Sequence, residues 1–303
     1  MKSRFYLLLI CITPMLVRAE TVDTVGLQTS EKKEDSASAL RRDQLYLTGW
    51  PLPKDPTQAL EWIKKAAEQG NPEAANRLGY LYENGIEVEK NNATARIWFA
   101  KAADAGLAKA QYNLARSLMR GIGGDKNMVK GMELLSKAAA QGLVPAQMAL
   151  GEIYYFGEYN QKQDYKLAFP LFYKAAQTGD AIAENYIGVM YQLGQGVKLD
   201  RKKAVVWYGK AAVQGSAKAQ ASLADAYLTG TGVKLDKVQA IKYFMLAAKQ
   251  GEVTATRPLE DLMPRLDPKV LSEATRQVSA FRVHKESREN DKSLNGEPLS
   301  TLN

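Results

Sequence analysis

Apolar positions along this chain recur in blocks that return every 36 or 37 residues. An Ala-Ala-x-x-Gly element appears at residues 66–70, 102–106, 138–142, 175–179, 211–215 and 247–251. Its glycines lie 36, 36, 37, 36 and 36 residues apart. An alanine follows four positions past each glycine: Ala74, Ala110, Ala146, Ala183, Ala219 and Ala255. Four further on come Leu78, Leu114, Leu150, Ile187, Leu223 and Leu259. The next residue is small in the first five blocks (Gly79, Ala115, Gly151, Gly188, Ala224), and three further stands Tyr82, Leu118, Tyr154, Tyr191 or Tyr227. These offsets trace one stripe of an amphipathic helix, and the small residue leaves room for a neighbouring helix. A second glycine closes each such helix: Gly49, Gly85, Gly121, Gly157, Gly194 and Gly230.

A second helix is predicted after each turn. Asp55, Asn91, Asn127, Asp164, Asp200 and Asp236 are placed to accept its orphan backbone donors, and Pro56 suits a first helical position. Its buried stripe is expected to run through Ala59, Ala95, Ala168, Ala204 and Ala240, with Trp62, Trp98, Leu171, Trp207 and Tyr243 three residues on. Gly131 and Leu134 take these places in the remaining block. The extra residue of the 37-residue spacing is expected in the turn at 158–162. Periodicity at this length marks a repeat array of helix pairs.

Units reading Ala219-x-x-x-Leu223-Ala224-x-x-Tyr227-x-x-Gly230-x-Gly232-Val233-x-x-Asp236, followed by a helix ending in paired alanines, resemble Sel1-like repeats, relatives of the tetratricopeptide repeat. The stretches Gly194-Gln195-Gly196-Val197 and Trp207-Tyr208-Gly209-Lys210-Ala211-Ala212 are similar. The resemblance covers residues 34–265 in about six copies. It implies an all-α fold, a right-handed α-α superhelix, with the first helix of each pair on the concave side. Arg42 stands where a leucine belongs, and the unit after Gly251 lacks the tyrosine and the closing glycine. Terminal repeats are expected to depart in this way.

Outside the repeats, Lys2 and Arg4 precede an apolar run at 5–17, and Val17-Arg18-Ala19 suits cleavage before Glu20. Residues 1–19 read as a signal peptide, 20–33 as a flexible leader, 266–283 as a C-terminal capping helix and 284–303 as a disordered polar tail. The apolar run is shorter than the roughly 20 residues of a spanning helix, so no stable membrane insertion is expected after cleavage. The chain is expected in the periplasm of a bacterium or, after secretion, outside the cell.

Composition narrows the chemistry. The single cysteine, Cys11, would leave with the leader, so no disulfide is expected. His284 is the one histidine among 303 residues, which speaks against metal or histidine-dependent catalysis. The net charge of +8 falls to +5 without Lys2, Arg4 and Arg18, and the lysines are spread over helix positions rather than gathered in a nucleic-acid-binding stripe. Ser30-Glu31-Lys32-Lys33 matches a Ser-x-x-Lys pattern but lies in the leader. Gly121-Ile122-Gly123-Gly124 lacks the Gly-Lys-Ser/Thr ending of a phosphate loop. No catalytic, cofactor-binding or metal-binding residue is assigned.

What remains is a binding surface. Positions 6, 10, 13 and 14 past each repeat glycine should face the groove: Asn76, Tyr80, Glu83, Tyr112, Arg116, Met119, Arg120, Met148, Glu152, Tyr155, Phe156, Asn185, Val189, Gln192 and Asp225. Its middle is apolar and aromatic, a composition enriched in interface cores. A non-enzymatic adaptor of the cell envelope, gripping a protein partner, is the leading expectation. The resemblance also allows a periplasmic immunity protein that neutralises a secreted toxic effector. The same groove could instead serve a cell-wall binding or hydrolysing protein, or one that binds glycans through its tyrosines.

Overall fold

The structure, a computed structural model, describes residues 56–283. The signal peptide, leader, Gly49, Asp55 and the tail with His284 lie outside the described residues. Thirteen α-helices make up the described part. They are α1 (Pro56–Glu68), α2 (Pro72–Asn84), α3 (Asn92–Asp104), α4 (Ala108–Arg120), α5 (Met128–Ala140), α6 (Val144–Phe156) and α7 (Tyr165–Gln177). The series continues with α8 (Ala181–Leu193), α9 (Arg201–Val213), α10 (Ala217–Thr229), α11 (Lys237–Ala248), α12 (Val253–Leu262) and α13 (Pro268–Ala280), with a 3-10 turn at Met263–Arg265. The architecture is a right-handed superhelix of helix pairs, in which each helix from α2 to α12 packs on the one before it. Even-numbered helices from α2 to α12 are the first of each pair; odd-numbered ones from α3 to α11 are the second.

Local chemistry explains the punctuation. Asn91, Asn127, Asp164, Asp200 and Asp236 all cap second helices, accepting backbone N–H groups of the first turn at 2.9–3.0 Å. The backbone N–H of each cap bonds the carbonyl of the residue twelve past the repeat glycine, for example Asp200 to Tyr191 at 2.9 Å. Each cap thereby also ties the turn to the first helix. Gly85, Gly121, Gly157, Gly194 and Gly230 end first helices with φ of 68–75°. Tyr159 (φ 52°) and Asn160 (φ 62°) carry the extra residue of the longer unit.

Packing within a pair depends on size complementarity. A Cβ on Gly79, Gly151 or Gly188 would fall 2.7, 2.7 or 2.5 Å from the rings of Phe99, Phe172 and Tyr208. Those rings lie directly on helix backbone. Where the small residue is Ala115, the place of the ring is taken by Leu135. At the equivalent place the second helices, α1 included, bury Ile63, Phe99, Leu135, Phe172, Tyr208 and Phe244 almost completely. The alanines of the stripe read from the sequence are buried as expected, and so are Leu134 and Tyr243, but at the other large positions the deepest side chain is the next residue along. Trp62, Trp98, Leu171 and Trp207 are only half-buried. Three of them carry a lysine from the next turn over the indole, Lys65 at 4.6 Å, Lys101 at 3.9 Å and Lys210 at 4.0 Å. At such partly exposed sites each contact contributes about 0.5–1 kcal/mol.

Units are stitched to one another by a recurring bond. The glutamine just before a repeat glycine reaches back to the fifth residue of the previous first-helix segment. Gln141 donates to Gln111 (2.8 Å), Gln214 to Glu184 (2.8 Å) and Gln250 to Gln220 (2.9 Å). The acceptors are nearly buried, so each bond satisfies a polar group that would be costly to strand. Three apolar clusters fill the core; Tyr154 bridges the first two along the chain, and Tyr191 the next two. At the far end α12 carries Pro258 and buries only Ala255. α13 packs chiefly on α11.

Candidate protein-binding face

Side-chain bonds join neighbouring first helices and hold several of the residues assigned to the groove. Asn113 of α4 donates to Asn76 of α2 at 2.9 Å, and both are buried. Arg116 of α4 pairs with Glu83 of α2, with both side chains largely shielded from water. In such a setting, removing one partner leaves a stranded charge and costs more than the pair itself contributes. Tyr112 is buried beside Arg116 and Arg120. Burial pushes its phenol up, and the two guanidiniums partly offset this. Met119 is 1% exposed, tucked where a Cβ on Gly131 would be 2.5 Å away. Asn76, Tyr112, Arg116 and Met119 are therefore buried structural residues and not open groove positions: Asn76 and Arg116 are held in cross-unit pairs, and Met119 packs against α5 at Gly131. Tyr80 and Arg120 are half-buried at the edge of this network.

The middle of the array is aromatic. Tyr155 meets Phe156, Tyr165, Phe172 and Tyr186 edge-on at 4.9, 5.1, 6.0 and 5.5 Å. Its hydroxyl donates to Gln195 at 2.8 Å. Phe172 and Tyr186 stack at 4.4 Å. Tyr155 is thus a packing hub beneath the surface. Phe156 stands outside the hub at 53% exposure. Met148 and Val189 are half-buried against the core clusters. Asn185 is half-buried, and its Oδ1 is enclosed without a partner. Gln192 accepts from the Tyr208 hydroxyl at 2.5 Å, and Asp225 is exposed at the mouth of a water-sized cavity beside them.

Sequence reasoning missed Leu193. It is 56% exposed and occupies in α8 the place that Phe156 holds in α6, fourteen residues past the repeat glycine. The signal was the column Asn84, Arg120, Phe156, Leu193 and Thr229, in which only two adjacent members are large and apolar. Partners one residue off the assigned columns, Asn113 and Tyr186, were also missed.

Glu152 accepts from the Tyr186 hydroxyl at 3.3 Å, and burial holds its carboxyl above the usual range. A raised carboxyl favours the protonated form in the fold, so stability is lost as pH rises through the raised value. Glu152→Gln keeps an acceptor without the charge. It should therefore raise the thermal midpoint at neutral pH and leave it unchanged below the ordinary carboxyl value of 4.5. Thermal unfolding at both pH values checks this, and a lower midpoint at neutral pH would show that the charge is needed.

No three His, Cys, Asp or Glu side chains converge as a metal group among the described residues, and no helix there is long and apolar enough to cross a membrane. The Sel1 repeat profile matches residues 39–71, 72–107, 108–143, 144–180, 181–216 and 217–252. The chain belongs to the Sel1 repeat family. Sel1 repeats generally serve as non-catalytic scaffolds that mediate protein–protein interaction. A similar solved structure is a protective antigen of uropathogenic Escherichia coli with an SLR fold. It is 32% identical with a TM-score of 0.74, over 84% of this chain and 56% of the antigen. The chain thus spans little more than half of the antigen's length. A Sel1 repeat protein from Oxalobacter formigenes is 34% identical with a TM-score of 0.66, over 84% of this chain and 99% of that protein. An immunity protein from Pseudomonas aeruginosa is 21% identical with a TM-score of 0.41, over 73% of this chain and 83% of its own, too distant to bear on function. No curated protein matches the chain.

Proposed function

We propose that this Sel1 repeat protein is a non-enzymatic, exported adaptor of the bacterial envelope that binds a protein partner on its first-helix face. The observation that carries the reading is the pair Phe156 and Leu193, more than half exposed at equivalent places of neighbouring first helices. Adjacent apolar side chains held open to water mark contact surfaces, and the rigid tyrosines beneath them keep the pair presented. Arg120 precedes them in the same column, giving the apolar centre a basic flank. The basic start and short apolar run of the N-terminus support export. The immunity, cell-wall and glycan readings have no separate observation in their favour.

Phe156→Ala with Leu193→Ala should lower capture of the native envelope partner at least about thirtyfold, since a hot-spot truncation costs about 2 kcal/mol or more. Helix content and melting should hardly move, because exposed substitutions usually stay within about 0.5 kcal/mol. Affinity purification followed by mass spectrometry reads the first effect, circular dichroism the second. Undiminished capture would place the partner elsewhere. Tyr155 is left intact in this test because its removal would open the aromatic hub.

A further inference from the structure

The tyrosine twelve residues past the repeat glycine is present as Tyr82, Tyr154, Tyr191 and Tyr227 but is replaced by Leu118 in α4. Tyr191 shows what the ring does. It fills the trough between second helices α7 and α9, edge-on to Phe169 at 5.6 Å, with Lys203 Nζ 5.3 Å from its ring centre. Tyr173 closes the same trough against Trp207 at 5.8 Å. Every residue of the trough between α3 and α5 has its counterpart 73 positions on. There Leu118 stands for Tyr191, Ala100 for Tyr173 and Arg96 for Phe169, so three rings are missing together. A cavity of about 420 Å³ lies open at that place. Leu114 and Leu118 line it together with Ala93, Ile97 and Ala100, and Lys130, the counterpart of Lys203, stands at its rim. Arg96 does not close it, since its guanidinium donates to the Asp125 carbonyl at 2.9 Å.

We propose that this opening is a docking pocket for a single aromatic side chain, tyrosine or phenylalanine, on an extended segment of a protein partner. The array itself shows that the site accepts a ring, because a tyrosine of the chain occupies the equivalent trough. Lys130 is placed to cover an incoming ring as Lys203 covers Tyr191, an attraction suited to an aromatic and not to an aliphatic group. The occupant is a side chain rather than a free aromatic compound because the shoulders are also apolar. Ile97, part of the lining, is 57% exposed, area that a flanking peptide covers and a lone ring does not. The pocket lies between second helices, whereas Phe156 and Leu193 stand on first helices, so the two surfaces stand or fall separately.

The test is an amide chemical-shift titration of the full-length protein with the capped peptide Ala-Ala-Tyr-Ala-Ala, its leucine-centred counterpart and free p-cresol. The tyrosine peptide should give saturable shifts at Ala100, Leu118 and Gly123, with a roughly fivefold weaker response to the leucine peptide. Lys130→Gln should weaken the tyrosine peptide by about two- to fivefold. Leu118→Tyr should fill the trough from within and abolish the shifts; Ala100→Tyr does the same if that variant fails to fold. Equal response to both peptides, binding that survives a folded filling variant, or no saturable shift would overturn the proposal. Saturable binding of p-cresol without the peptide would equally overturn it, in favour of a free aromatic ligand.

Discussion

Phe172→Ala should destabilise the array by about 3–5 kcal/mol, the usual cost of deleting a buried aromatic ring. Phe172 is 0% exposed, lies against Gly151 and stacks on Tyr186. Three successive helices, α6, α7 and α8, therefore lose a common contact. Glycine cannot reach into the void, and Tyr155 and Tyr186 are held by bonds to Gln195 and Glu152. Denaturant unfolding followed by circular dichroism should show a lower midpoint and a shallower transition. A repeat array weakened at one interface begins to melt as two blocks. A loss below about 1 kcal/mol would mean that the neighbours collapse into the space, contrary to this geometry.

Gly196→Ala should cost about 2–4 kcal/mol, combining strain at positive φ with a steric shift. Gly196 has φ 67°, and an added Cβ would sit 2.1 Å from the Tyr165 carbonyl oxygen at the start of α7. Gly123 faces Asn92 at 2.1 Å and Gly232 faces Arg201 at 2.3 Å in the same manner. These turns are spacers that fix how near one unit lies to the one before it. Glu87 holds the corresponding place in the earlier turn with φ 56°. A side chain there is thus survivable, and the variant should fold at reduced stability. Gly209→Ala in α9 is the control. Nothing lies within 4 Å of its Cβ, so helix propensity alone should stabilise by about 1 kcal/mol. If both substitutions act in the same direction, the steric account of Gly196 is wrong.

Much of the fold was legible because local chemistry repeats. Caps such as Asn91 and Asp200 and terminators such as Gly85 and Gly194 act within a few residues of themselves, and so their roles could be read directly from spacing. The core register was less legible. Trp98 and Phe99 are both large and apolar, and helical periodicity does not choose between adjacent residues. The choice is made by Gly79 on another helix, which admits the Phe99 ring, while Lys101 keeps Trp98 at the surface. The candidate face was read in part. Phe156 could be singled out as apolar in an outward column, but Arg116 and Tyr112 looked equally available. Arg116 is held under cover by Glu83, a partner in the preceding unit that no single repeat contains. Leu193 carries the same signal as Phe156 in the same column.

α13 changes what the end of the stack can do. It lies along α11, where Gln239 donates to Gln277 at 2.9 Å, Val278 and Phe281 join the last apolar cluster, and Val283 rests against Gly215. A screw-like arrangement of identical modules has no natural stopping point, and a bare final module would welcome the opening module of another molecule, adding copies head to tail into a filament. By bending the polypeptide back along α11, α13 covers apolar surface of that helix from within the same molecule.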